Sequence, residues 1–408
     1  MKTIDSIDSL IKRKKAKVYT ASEIKEMVRN GRMPSLNDVD VVTCGTFGVM
    51  SGTMAVLSIP VAEAGSFKKA DRIELNGVPG IPGPCPNESL GVVDCIVYGT
   101  SHRDHRYGGG HLFKDIVSGV PITADVTSGG KHFIKELTIG EIPSARMIVT
   151  RGAFRNYTAF VNREEKRFET IFSVTGMNGG LTEVSVSGCG EVNPIQNDPS
   201  SYLREGAPIL VNGGPGVILG PGTRSSPARK NLSAAADMRN MDPDMMGGFI
   251  TSAGPECMTS FTSAIPITDE TALAGALILD GSIGLPVAEI HTRIPDGSVS
   301  YGNVWTSTSR AITVNAEKCI SCQSCRPSEI CPVEALRPSQ IDVTKCVVCG
   351  SCVTSCVGNV FSADLGSIEY SGKSIPITLR QSDRNRAERS SEKLKEMIMQ
   401  GKWGLRCF

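Results

Sequence analysis

The chain has 408 residues, of which 43 are basic and 42 acidic, giving a formal charge of +1. That balance argues against nucleic acid or an anionic membrane as the main partner. No apolar run reaches the roughly 18 residues that span a bilayer, and the N-terminus lacks the order of a secretory signal.

The expected location is therefore cytoplasmic, where fourteen cysteines point to metal ligation or thiol chemistry rather than disulfides. The length suits roughly two to three domains. Glycine is abundant, at 43 residues, and it clusters with proline in loops suited to sharp turns or close approach to a ligand.

In chain order, "SIDSLIKRKK" and "ASEIKEMVRN" predict two short helices closed by Gly31, with the basic run Ile11 to Lys17 as a solvated face. "DVDVVTCGTFGVMSGTMAVLSI" reads as a buried strand, a glycine turn and a small-residue helix. "GVVDCIVYGTS" and "ARMIVTRG" have strand composition, and "RFETIFSV" and "LTEVSVSG" alternate as half-exposed strands. "TALAGALIL" fits a buried helix or strand. After Leu365, "SIEYSGKSIPITLRQSD" predicts a hairpin turning at Ser371–Gly372. "NRAERSSEKLKEMIMQG" then predicts an amphipathic helix with Ala387, Leu394, Met397 and Ile398 on its apolar side.

The stretch Lys318 to Cys356 holds two halves, C-x2-C-x2-C-x5-C-P and C-x2-C-x2-C-x3-C. Three closely spaced thiolates grip one cubane, and the remote cysteine of each half completes the other. Cys319, Cys322, Cys325 and Cys356 are thus assigned to one [4Fe–4S] cluster, and Cys346, Cys349, Cys352 and Cys331 to the second. Zinc is the less fitting alternative. The expected fold is α+β (mixed α/β). A glycine-rich catalytic domain spans 1–311, a bacterial-type two-[4Fe–4S] ferredoxin βαββαβ domain is inserted at 312–364, and residues 365–408 complete the catalytic domain. A plain C-terminal fusion is the alternative.

Cys44, placed by this reading where a strand runs into a helix N-terminus, is the first candidate nucleophile or persulfide carrier. Cys85, fixed between two prolines, is the second. Cys95 reads as core, while Cys189 and Cys257, in glycine or proline loops, are reserves. "YGTSHRDHRYGGGH" gathers His102, Arg103, His105, Arg106 and His111, groups able to bind an acidic substrate and move a proton to its oxygen. An exposed polar loop and a metal site on the three histidines are the competing readings. "VNGGPGVILGPGTR" resembles an anion-cradling turn and brings Arg224.

"VVTCGTFGVMSGT", "RIELNGVPG", "RYGGGHLFKDIVSG", "SGCGEVNPIQNDP" and "VNGGPGVILGPGTR" together resemble the archaeal homocysteine-biosynthesis, sulfur-incorporation family. The two-cluster segment resembles specifically its methanogenesis marker protein 16 branch. The resemblance implies reductive sulfur transfer to a small anionic aldehyde, with Cys44 in the place of the motif cysteine. The homocysteine branch carries a second reactive cysteine where this chain has "DVTSGGKH". None is present here, which makes Cys85 the candidate substitute.

The main expectation is sulfoacetaldehyde converted to coenzyme M (2-mercaptoethanesulfonate) in a methanogen, and the alternative is aspartate semialdehyde converted to homocysteine. An iron–sulfur electron-transfer subunit of another redox enzyme is the third reading. Expected catalytic residues are Cys44, Cys85, His102, His105 and His111, with Arg103, Arg106 and Arg224 binding substrate. Two [4Fe–4S] clusters, a sulfide or persulfide donor and a low-potential electron donor complete the expected set, and a homo-oligomer is compatible with it.

Overall fold

The computed structural model describes residues 1–83, 86–152, 157–197, 202–225, 231–305 and 308–406. Two sheets dominate it. The larger has 14 strands and is antiparallel except where Val18–Thr20 runs parallel to Val41–Val49. From that edge it passes through Val41–Val49 and the 13-residue strand Gly254–Pro266, and it ends on the hairpin Ile122–Ser128 and Lys131–Leu137. The smaller sheet has six strands, with Ala159–Val161, Val184–Val186 and Lys373–Arg380 adjacent near its centre. The fold is thus mixed α/β and rich in sheet. No helix among the described residues is long and apolar enough to cross a membrane.

Local sequence explains the peripheral elements. The first helix, Ile4–Lys12, is opened by the Thr3 hydroxyl accepting from Ser6 N–H, and Thr20 accepts from Glu23 N–H at the start of Ala21–Arg29. The hairpin Ser367–Tyr370 and Lys373–Arg380 turns through Ser371 and Gly372, at φ 51° and 72°, the left-handed pair that a two-residue turn requires. The helix Arg384–Met399 follows and buries Ala387, Leu394 and Ile398.

Four sequence expectations are corrected. "VVTCGTFGV" is one unbroken strand, Val41–Val49, turning at Ser51–Gly52 into a second strand, Thr53–Pro60. Its glycines serve packing rather than turning. A Cβ on Gly45 would collide with the carbonyl of Ala387, and one on Gly48 would lie 2.8 Å from the Gln381 oxygen. "RFETIFSV" forms no strand and makes only the bridge Phe168↔Met177. Cys257 lies inside Gly254–Pro266, not in a loop. "TALAGALIL" is a helix over Glu270–Leu277, and Val184–Val186 is fully buried rather than half-exposed.

Residues 312–362 pair and pack partly among themselves. Thr313–Val314 pairs with Phe361–Ser362, Leu336–Arg337 pairs with Gln340–Ile341, and Ile312, Ala335, Val360 and Phe361 share a small core with Cys331 and Cys352. The chain then returns to the main body. Lys373–Arg380 joins the smaller sheet beside Val184–Val186, and the final helix packs on Val41–Val49 and Gly254–Pro266.

Candidate active site

The strand Val41–Val49 pairs on one side with Gly254–Pro266. On its other side Val18–Thr20 covers only residues 41–43. The remaining edge takes groups from the smaller sheet. Val49 N–H donates to the Gln381 carbonyl, Asp383 N–H donates to the Phe47 carbonyl, and Phe47 N–H donates to Cys189 Sγ at 3.1 Å. The core at this junction combines Phe47, Phe249 and Met258 with Tyr157, Val186, Cys189 and Tyr301 of the smaller sheet's side. Val347 and Cys349 of the cysteine-rich segment join the same core.

A cavity of about 290 Å³ opens beside this junction. Its floor includes Thr46, Tyr157, Ser187, Gly188 and Ser382, and its wall carries Arg151, Arg224 and Arg293. No carboxylate is among its described lining residues. Burial, then the charges of Arg224 and Arg293, hold the Arg151 guanidinium below its ordinary value. Like charges gathered in a cavity form a site for an anion. Glu256, buried near Arg151 and Arg293, has its pKa raised, chiefly by burial.

One thiol, Cys189, lies against this cavity's floor, and a second, Cys44, lies deeper beside another cavity. Cys189 is fully buried, 3.2 Å from the Thr46 hydroxyl, which accepts from the Tyr157 hydroxyl at 2.7 Å. Burial pushes its pKa up to about 12, although the Thr46 and Phe47 hydrogen bonds act in the opposite direction. Cys44 sits mid-strand and donates to the Glu191 carbonyl at 2.9 Å. Burial, reinforced by Asp280, raises its pKa well above the usual thiol value. The expected helix N-terminus beside Cys44 is absent, so no helix dipole favours its thiolate. Behind it Lys25, fully buried, pairs with both Glu191 and Asp280, beside a second cavity of about 350 Å³ lined by Arg29, Glu191, Asp280, Trp305 and Arg384.

Residues 16–405 match the family described as homocysteine biosynthesis enzyme, sulfur-incorporation. The chain belongs to this family. It is 42% identical to an uncharacterized protein of Methanothermobacter thermautotrophicus, over 98% of this chain and 93% of that one. It is 39% identical to an uncharacterized protein of Methanocaldococcus jannaschii, over 96% of this chain and 99% of the relative. The L-aspartate semialdehyde sulfurtransferase of M. jannaschii is 28% identical over 70% of this chain and 58% of its own length. No solved structure matches the chain.

Against this family's chemistry the histidine stretch is placed differently from expectation. His102 and His105 are exposed, and His111 lies in the first turn of Gly109–Val117, accepting from Gly108 N–H. No histidine is among the described lining of the arginine cavity. Arg103 pairs with Asp104 and lies over the Tyr107 ring. Arg106 is bound to Glu334 and the Glu329 carbonyl, so it ties this loop to the cysteine-rich segment. Of the expected arginines, Arg224 alone lines the cavity. Cys85 lies outside the described residues. Arg151 and Arg293 were missed because single arginines remote in sequence carry no motif. Cys95 is core, as its strand composition suggested.

The eight cysteines of the segment fall into two sets. Cys319, Cys322, Cys325 and Cys356 line one cavity of about 450 Å³. Cys331, Cys346, Cys349 and Cys352 lie close enough for their charges to raise one another's pKa, after burial, which is the largest cause. Backbone N–H groups of Ala335 and Val348 donate to Cys331 Sγ and Cys346 Sγ, at 3.2 and 3.3 Å. Such bonds to cysteine sulfur stabilise a cluster's charge. No three His, Cys, Asp or Glu side chains among the described residues converge as a single-ion site does. Cys319, Cys322, Cys325 and Cys356, around an open volume, would fit the larger [4Fe–4S] group.

Proposed function

We propose that this protein is a sulfurtransferase that joins sulfur to the carbonyl carbon of a small anionic aldehyde and yields the thiol. The observation that carries the reading is the cavity with three arginines and no described carboxylate, set against the buried thiol of Cys189 in a chain of the sulfur-incorporation family. In the overall reaction, aldehyde and hydrogen sulfide take up two electrons and two protons. A C–S bond forms and the carbonyl oxygen leaves as water.

The arginines hold the substrate's acidic group by their fork geometry. The Tyr157–Thr46 hydroxyl pair on the floor is placed to pass a proton to an oxygen in the cavity. The apolar core around Phe47, Phe249 and Met258 keeps water from the Cys189 thiol. Two [4Fe–4S] clusters, held by Cys319, Cys322, Cys325 and Cys356 and by Cys331, Cys346, Cys349 and Cys352, would supply the electrons one at a time.

Aspartate semialdehyde is the aldehyde the relatives support, since sulfurtransferases of M. jannaschii and Methanosarcina acetivorans carry it in their names. The second reading is sulfoacetaldehyde, giving coenzyme M. It is favoured by the cavity's described lining, which offers three cations and no carboxylate for a substrate ammonium group. Anoxic incubation of the reduced full-length protein with sulfide and each aldehyde, with thiol products quantified, decides between them. Thiol from neither aldehyde would overturn the proposal.

A further inference from the structure

We infer that Cys189, not Cys44, is the thiol that meets the aldehyde, an assignment that rests on the aldehyde reading above. The two thiols differ in what surrounds them. Cys44 points at the Glu191 carbonyl and the Lys25–Asp280 pair. Cys189 lies directly behind the cavity floor: its neighbour Gly188 and its hydrogen-bond partner Thr46 both line the cavity, as does Tyr157 behind Thr46.

The loop "SGCG" is built to hold this side chain. Gly188 and Gly190 have φ of 100° and 64°, a region other residues adopt only under strain. A Cβ on Gly188 would lie 2.7 Å from the Tyr157 ring. That ring stacks on Tyr301 at 5.6 Å, and the Tyr301 hydroxyl donates to the Gly190 carbonyl at 3.0 Å. Phe47 N–H, donating to Sγ at 3.1 Å, supplies a fixed dipole where thiolate charge develops. The arginine wall is an independent sign of a ligand, because Arg151, Arg224 and Arg293 line the cavity with no carboxylate among its described lining residues and so favour an anion there.

The covalent step balances without another reagent. Cys189 Sγ adds to the carbonyl carbon, the π pair moves to oxygen, and the Thr46 hydroxyl takes the thiol proton and gives its own to that oxygen, giving a thiohemiacetal. The arginines anchor the substrate's acidic end during the step. Cys44 lies near enough to Cys189 that the charge of Cys189 bears on it.

The test is affinity alkylation of the anoxically purified full-length protein with iodoacetate and neutral iodoacetamide, followed by peptide mapping of every cysteine. Iodoacetate should modify Cys189 before Cys44, and about 10-fold or more faster than iodoacetamide, because a cationic cleft concentrates anions. Replacing Arg293 by Met should remove that preference. Label on Cys44 with Cys189 untouched, or a preference unchanged in Arg293→Met, overturns the assignment. Cys189→Ser should retain its circular dichroism and melting temperature and lose thiol formation. Full thiol formation by this variant also overturns it while leaving the proposed function intact. Anion-selective labelling of Cys189 in a protein that converts neither aldehyde would instead remove the aldehyde reading and leave a reactive thiol at an anion site.

Discussion

Asp280 shows how much a single buried group governs here. Burial raises its carboxyl to about 6, against the opposing pull of Lys25. Glu191, on the same lysine, is lowered overall: burial works upward, but the charges of Lys25, Arg29 and Arg384 prevail. The folded chain therefore keeps the Asp280 proton to higher pH than the unfolded chain does. Its contribution to stability is fully present below the ordinary carboxylate range and is lost as pH rises through about 6. Glu191 runs the other way, losing its contribution on acidification. Asp280→Asn should accordingly gain on the wild type as pH rises from about 4 to about 6, read as the difference in melting temperature. A difference independent of pH would mean that Asp280 titrates normally. At this scale the sequence named Cys44 and kept Cys189 in reserve, because Cys44 reads as a strand end entering a helix N-terminus and Cys189 as a glycine-loop cysteine. Lys25 was legible only as one residue of an amphipathic helix. Its two carboxylate partners lie 166 and 255 residues away, and no local pattern encodes such a meeting.

The strand Val41–Val49 is the element on which the site depends, and its glycines are the reason it can be shared. Gly45 admits the backbone of the helix Arg384–Met399, whose Ser391 carbonyl also accepts from the Thr43 hydroxyl at 3.0 Å. Gly48 admits Gln381 and pairs with Ser382. Gly45→Val would force the helix off the strand at a cost of about 1–3 kcal/mol. The expected result is a lower denaturant midpoint with unchanged slope. A midpoint equal to the wild type would show that the helix does not seat against Gly45. A sequence cannot distinguish a glycine that turns the chain from one that lets another element approach, so this strand was misread as strand, turn and helix. The final hairpin and helix were legible because they carry local signals. Ser371–Gly372 sets the turn, and the spacing of Ala387, Leu394 and Ile398 matches the helical period.

Across the whole molecule, the two cysteine quartets differ in exposure in a way that orders them. Cys322 is exposed, and Cys319, Cys325 and Cys356 are half-buried around an open cavity. Cys331, Cys349 and Cys352 are buried, and Cys349 belongs to the core that also holds Phe47 and Cys189. The inner quartet is also clamped from the main body. Arg380 N–H donates to the Cys349 carbonyl at 2.9 Å, Ile250 N–H to the Pro332 carbonyl at 2.9 Å, and Arg386 to the Cys346 carbonyl at 3.0 Å. Arg386 itself is held by Asp383 and lies over the Phe47 ring. With clusters in both quartets, an electron accepted at the surface would pass from the outer one inward to the thiol junction. If both quartets hold [4Fe–4S] groups, the anoxic protein should contain about eight irons per chain. A chelator should remove them in two phases of equal size, because the outer set is open to solvent and the inner set is covered. Cys322→Ser should abolish the fast phase and Cys349→Ser the slow one. Release in a single phase would break the assignment of an outer and an inner site, and with it the direction of electron flow toward Cys189.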